Sequence, residues 1–527
     1  MYFFSDNHIL LTILLTPLLG AGVLLLIPGE REGLHRKISN AFGMLGLVVS
    51  LPLLWKFRAG PAEPFQFISD ANWIPSLSVH FRLGIDGLSL LMVLLTTLLG
   101  AIAILSSWSA IHKREKEYYI LLLLLQAGLL GVFMSLDFVL FYVFWEAALV
   151  PMYLLIGGRG TENRGYAAMK FFLYTLAGSV VMLLAILAVY QARGTFDLRE
   201  ILPHPFTASS GHLQYWLFWG FFFAFAIRAP MFPFHTWLAD ACVDAPTAAS
   251  VMLVGVLLKT GIYGFLRFSV PMFPEATWRC RPILIALSLI AILYGGLICI
   301  MQKDMKRLIA YSSVSQMGFC TLGIFALTPL GIYGSVIQQV SHGITTGALL
   351  LIAGMLYERR QTRLVSELGS LARPMPKFAA IFMIVTLACL GMPLLSGFVG
   401  EFAILRGAWQ VHWQWAACAV LGVILGAGYF LWLYQRVMLG SVTNPANEHL
   451  PDLNRREFAT LMPLVLLSIW IGVYPAPLFR VLKQPVERIV NAVHPGYFSV
   501  VQPAAAAASR LNSSSICGAS AFAREGE

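Results

Sequence analysis

FAIRAPMFPFHTWLADACVDAPTAASVMLVGVLLKTG, the stretch from Phe225 to Gly261, decides how the rest of the chain is read. It is apolar enough to lie in a bilayer, yet it carries Arg228, His235, Asp240, Asp244 and Lys259, and it contains Pro230, Pro233 and Pro246. Proline removes a backbone donor and breaks the helical ladder. In lipid, the freed backbone groups persist only where protein or trapped water satisfies them. An ionisable side chain at that depth costs about 2.5–3.5 kcal/mol even on lenient insertion scales. A broken helix that carries charges therefore points to an ion path through a membrane.

Around this stretch the composition agrees. Of 527 residues, 58% are hydrophobic and 12% charged, with a mean hydropathy of +0.75. Soluble domains carry roughly 25% charged residues, so the chain reads as an all-α polytopic protein of the lipid bilayer. The net charge of +10 is assigned to cytoplasmic loops, which argues against nucleic acid as a partner. Seven cysteines (Cys242, Cys280, Cys299, Cys320, Cys389, Cys418 and Cys517) are scattered without metal-site spacing. No glycine-rich nucleotide fingerprint follows a strand. The apolar run from Ile9 to Ile27 lacks a basic leader and a small-residue cleavage site, and reads as a retained span.

A span needs about 20 apolar residues. Fourteen candidates meet or approach this: 9–27, 38–55, 87–110, 118–136, 138–156, 166–191, 213–232, 245–269, 283–301, 305–327, 329–357, 378–410, 414–438 and 458–474. Residues 57–83 read as a polar loop, residues 476–493 as an amphipathic helix lying along the surface, and residues 501–527 as a disordered Ala/Ser-rich tail. Span seven is interrupted at Pro230 and Pro233, and span twelve at GMPLLSG, Gly391 to Gly397. These breaks lie five spans apart, hence in opposite orientation, which is the mark of inverted repeats. The expected division is a three-helix segment (1–110), a first repeat of spans 4–8 (118–269), a second of spans 9–13 (283–438), a last span with the surface helix (439–500), and the tail. One set of alternate loops holds 19 Lys and Arg, Lys306 among them, against 9 in the other. The richer set is placed in the cytoplasm and both termini on the opposite, periplasmic side of a bacterial cytoplasmic membrane.

Several charges fall inside spans. Glu146, in VLFYVFWEAALVPMYLL, reads as a proton-path carboxylate, the alternative being a packing hydrogen bond to a neighbouring helix. Lys259, in VGVLLKTGIYG, reads as a titrating lysine rather than one snorkelling to an interface. His342, in QQVSHGITTGALL, is a candidate mid-membrane relay or a satisfied core group. Glu401, in GFVGEFAIL, follows the second break and is a candidate to exchange protons with one aqueous side. Lys170 is either an interfacial anchor or part of the path, and His235 beside the proline pair joins the candidates. Arg228 stays charged at working pH, so it can set the field but cannot hand on its own proton. Paired with Glu146, it would hold that acid ionised.

At these residues the chain resembles the M-type antiporter-like subunits of respiratory complex I, a group that includes the large subunits of multisubunit sodium/proton antiporters. The likeness rests on GIDGLSLLMVLLTTLL (84–99), FWEAALVPMYLLIG (144–157), MFPFHTWLADACVDAPTAASVMLVGVLLKTGIYG (231–264), DMKRLIAYSSVSQMGF (304–319) and GFVGEFAIL (397–405). The resemblance implies a proton route along a central hydrophilic axis through Glu146, Lys259, His342 and Glu401. It implies partner membrane-arm subunits and no cofactor on this chain, with NADH, FMN, iron–sulfur clusters and quinone held by partners. It also implies two departures: Arg228 and Gln316 stand where the family usually has lysine and often has histidine. The expected function is proton translocation as a subunit of NADH:quinone oxidoreductase. The alternatives are a sodium/proton antiporter subunit of the same fold, or a structural paralogue whose channel Arg228 impairs.

Overall fold

A computed structural model describes residues 8–29, 31–60, 64–111, 114–159, 163–207, 211–440 and 444–497. Among them, twelve helices are long and apolar enough to cross a membrane. Of the two remaining predicted spans, 213–232 is the helix Leu213–Arg228, followed beyond a break by the short helix Thr236–Asp244, and 378–410 is the pair Pro376–Cys389 and Ser396–Trp409. The first break contains Pro230 and Pro233. In the second, Gly391 and Leu394 take left-handed φ values of +76° and +72°. The predicted span 138–156 runs as Phe138–Ala147 and Leu149–Arg159, nearly continuous. The tail expected at 501–527 lies outside the described residues.

The most enclosed span is Thr247–Met272, buried among its neighbours along nearly all its length. It alternates α-helix with π-helical turns at Leu253–Leu257 and Phe265–Ser269. It packs closely on the Leu213–Arg228 helix, because a Cβ at Gly261 would meet Ala229 N and Phe225 O at 2.6 Å. Small residues permit such approach between membrane helices. Helix Ala476–Val493 buries Leu478, Leu482, Val486, Ile489 and Val490 on one stripe, as its amphipathic spacing required. It lies across one face of the bundle, against the starts of the Gly87–Ser106 and Pro329–Arg360 helices.

Two expectations need correction. Residues 57–83 are not simply a loop: Gln66–Ile74 and Val79–Ile85 form an antiparallel hairpin. There Asp70 opposes Arg82, which reaches Asp197 as well. The ladder satisfies backbone groups that an irregular loop would leave to water. Lys306 is not a loop cation. It is buried, and its Nζ donates to Ala245 O (2.8 Å), Ser250 Oγ (3.1 Å) and Cys242 O (3.4 Å). It closes the C-terminal end of the Thr236–Asp244 helix, where the helix dipole favours a cation. Arg281 does the same for the Met305–Phe325 helix, donating to Phe325 O (3.0 Å) and Ala326 O (2.7 Å).

A local motif occurs twice. Asp137 and Asp304 each cap the start of a helix through their side chains. Beside the first, Phe138 N donates to Phe196 O and Leu198 N to Leu136 O. Beside the second, Met305 N donates to Arg363 O and Val365 N to Lys303 O. The sequence offsets are identical in the two cases. The Asp137 copy adjoins the hairpin, through His80 N and Asp137 Oδ2, whereas the Asp304 copy adjoins the Lys/Arg-rich loops.

A buried polar axis as the candidate functional site

Lys259 is 0% exposed, and its Nζ sits 2.6 Å from His342 Nδ1 and donates to Val254 O at 2.5 Å. An ammonium can only donate, so the facing imidazole nitrogen is the acceptor whenever Lys259 is charged. Val254 lies in the first π-helical turn, a distortion often found at functional sites. On the far side of the ring, His342 Nε2 has no partner among the described residues.

Beyond His342 lies a small cavity bordered by Gln316, Gln338, Ser341, Thr345 and Cys389. It has room for about one water molecule. Gln338 Nε2 donates to Gln316 Oε1 at 2.7 Å, and Gln316 Nε2 donates to Glu401 Oε1 at 2.9 Å. Gln338 Nε2 also approaches Glu401 Oε1 at 3.3 Å. Glu401 is buried and lies against the second helix break, where a Cβ at Gly391 would collide with its Oε2. Gly391 thus serves twice, once for its positive φ and once for the space it leaves to the carboxylate.

The other candidates occupy the first half of the chain. Arg228 is 1% exposed, and its guanidinium lies 4.1 Å above the Trp145 ring and donates to Trp145 O at 3.2 Å. The pairing considered between Arg228 and Glu146 does not occur: no ion pair joins them among the described residues. Glu146 follows Trp145 by one residue and so points about 100° further round the helix. The flat guanidinium stacks on the indole face instead. Glu146 does not touch Lys259 either, and its buried Oε1 has no hydrogen-bond partner. Lys170 pairs with Asp240 at 2.8 Å, and Asp240 also holds Arg307 at 3.2 Å. His235 packs its ring against Phe232 and Tyr294, with Nδ1 buried and unpartnered.

The structure therefore joins Lys259 to His342 and Glu401 to Gln316, while Glu146, Arg228, Lys170 and His235 stand apart from that line. Sequence reasoning passed over Gln338, although it lies four residues before His342 and so shares its helix face. It also took Lys306 for a loop residue. Among the described residues, no three His, Cys, Asp or Glu side chains gather as a metal site.

Residues 135–426 match the family described as NADH:quinone oxidoreductase/Mrp antiporter, TM. The chain is 44% identical over 514 residues to NADH-quinone oxidoreductase subunit M of Rhodobacter capsulatus, covering 95% of this chain and 99% of the relative. It is also 44% identical over 480 residues to NADH-ubiquinone oxidoreductase chain 4 of Marchantia polymorpha, covering 91% and 96%. Among solved structures, a chain of respiratory complex I from Thermus thermophilus with bound NADH superposes with a TM-score of 0.84 at 33% identity, covering 92% of this chain and 99% of that one. The matched region contains the Lys259–His342 contact, Gln316, Gln338, Glu401 and both helix breaks. This chain belongs to the NADH:quinone oxidoreductase/Mrp antiporter family of membrane subunits.

Proposed function

We propose that this chain is a proton-translocating membrane-arm subunit of NADH:quinone oxidoreductase, coupling quinone reduction in partner subunits to proton transport. The observation that carries the reading is the continuous buried line from Lys259 through His342 and a water-sized cavity to Gln316, Gln338 and Glu401. In this reading Lys259 releases its proton to His342, and water in the cavity passes it to Glu401. The two glutamines orient that step without titrating. Glu146, which makes no contact with Lys259, biases that lysine's charge through the field. Lys170 with Asp240, and His235, belong to the entry side of the same route. Moving one proton against the membrane field needs about 2.3 kcal/mol per 100 mV. A shift of that order is accessible when a buried lysine gains or loses a charged neighbour.

The division into inverted repeats, spans 4–8 and 9–13, is supported by the two identically spaced capping motifs, that of Asp137 beside the hairpin and that of Asp304 beside the Lys/Arg-rich loops. In a bacterial cytoplasmic membrane, the Lys/Arg-rich loops then face the cytoplasm and both termini the periplasm. NADH, flavin, clusters and quinone are assigned to partner subunits. The test is Glu146→Gln in the assembled enzyme, reconstituted in vesicles, with proton uptake and NADH oxidation followed together. We expect proton uptake per electron to fall. Full pumping by an assembled Glu146→Gln enzyme would remove Glu146 from the mechanism.

A further inference from the structure

Away from the polar axis, a cavity of about 580 Å³ opens between the surface helix Ala476–Val493, the segment Leu198–Pro205 and the second π-helical turn. That volume falls within the range of roughly 300–1,000 Å³ typical of small-ligand sites. It lies where the Gly87–Ser106 helix begins, at the level where spans meet the aqueous boundary. Its walls are largely apolar, with Leu202, Leu266 and Ile489 among them.

Three guanidinium groups and one carboxylate face this apolar space. Arg267 is fully engaged, donating to Asp86 Oδ2 and Oδ1 at 2.7 and 2.6 Å and to Tyr263 OH at 3.0 Å. Arg199 donates to Asp197 Oδ1 and Oδ2. Arg488 is half-buried and makes no hydrogen bond or ion pair among the described residues; its opposite charge is Asp86, which Arg267 already holds through both carboxylate oxygens. Two guanidinium groups that share one carboxylate leave a net positive charge against apolar walls, which an anion would relieve.

We propose that this cavity takes the phosphate and the upper part of one acyl chain of an anionic phospholipid, the chain against Leu202, Leu266 and Ile489 and the phosphate on Arg488, with the rest of the lipid in the bilayer. The charge balance selects the headgroup class. Asp86 balances one of the two guanidinium groups of Arg267 and Arg488, which leaves one positive charge that a phosphodiester neutralises. A zwitterionic headgroup would bring an ammonium, and among the described residues the carboxylates at hand, Asp86 lining the cavity and Asp197 behind Arg199, are already held by Arg267 and Arg199. Arginine binds phosphate through paired donors, which makes the contact geometrically specific as well as charged.

The test uses the assembled enzyme purified in neutral detergent, with bound lipid read by native mass spectrometry after incubation with phosphatidylglycerol or phosphatidylcholine. The wild-type enzyme is expected to retain one phosphatidylglycerol at this site in preference to phosphatidylcholine. Arg488→Glu is expected to weaken that retention by about tenfold or more, as loss of a charged hydrogen-bond partner implies. Lys483→Glu, exposed on the same helix, should leave it unchanged. A photo-crosslinking residue at Ala492 should label lipid, and this readout stands even if Arg488→Glu does not assemble. Equal retention of the two lipids, displacement by inorganic phosphate alone, or a crosslink to a neighbouring polypeptide instead of lipid would each overturn the proposal.

Discussion

Replacing Lys259 by Met keeps the length of the side chain and removes its charge and donors. In the native structure Nζ lies 2.6 Å from His342 Nδ1 and 2.5 Å from Val254 O, in a site closed to solvent. A hydrogen bond involving a charged group contributes about 1.5–3 kcal/mol. If proton transfer from Lys259 to His342 depends on that contact, its loss slows the step by roughly 10- to 100-fold at about 1.4 kcal/mol per factor of ten. In units of membrane potential, the same energy is roughly 65–130 mV, from about 2.3 kcal/mol per 100 mV. The assay is the assembled enzyme in vesicles, with NADH oxidation and proton uptake recorded at potassium diffusion potentials set with valinomycin. Lys259→Met should lower proton uptake per electron, most steeply at high opposing potential. Lys259→Arg keeps the charge but cannot release a proton at working pH, and should resemble the methionine variant. If the two groups act as a unit, the double variant Lys259→Met with His342→Leu should lose little beyond the single change. An assembled Lys259→Met enzyme that pumps at the wild-type ratio against the wild-type potential refutes the reasoning.

Three further outcomes follow from the geometry. Arg228→Lys exchanges a guanidinium stacked on Trp145, apart from the Lys259–Glu401 line, for an ammonium that can titrate; protons per electron in vesicles should stay unchanged, and a rise would show that arginine throttles the route. Gly391→Ala must adopt φ near +76°, at a cost of about 1–2 kcal/mol, and pushes its Cβ into the Glu401 carboxylate; thermal inactivation of the complex should come earlier and pumping should fall more than NADH oxidation. In the hairpin, partial burial pushes the Asp70 carboxyl up, but hydrogen bonds and charge from Arg82 and His80 outweigh it and hold the carboxyl below its ordinary 3.8. Because the folded value is the lower one, Asp70 contributes stability that is full above pH 3.8 and is lost as pH falls through the folded value. Amide exchange across residues 66–85 should therefore accelerate in that acid window, and Asp70→Asn should flatten the dependence.

The sequence alone determined the class of protein and where its long apolar helices fall, because lipid permits few solutions. Apolar runs of span length, the prolines at 230 and 233 and the glycine-bounded break at 391–397 each carry a local energetic signal that needs no knowledge of neighbours. The amphipathic period of 476–493 located a surface helix to the residue for the same reason. Which charge meets which was decided only by the tertiary structure. Arg228 chose the Trp145 ring over Glu146, Lys259 chose His342, and Lys306 turned inward onto carbonyls left open at Ala245 and Cys242. Partner choice for a buried charge depends on how far apart helices distant in sequence come to lie, and on which carbonyls a break leaves free. Lys259 and His342 are brought within 2.6 Å by packing between two helices, and no spacing along the chain records that approach.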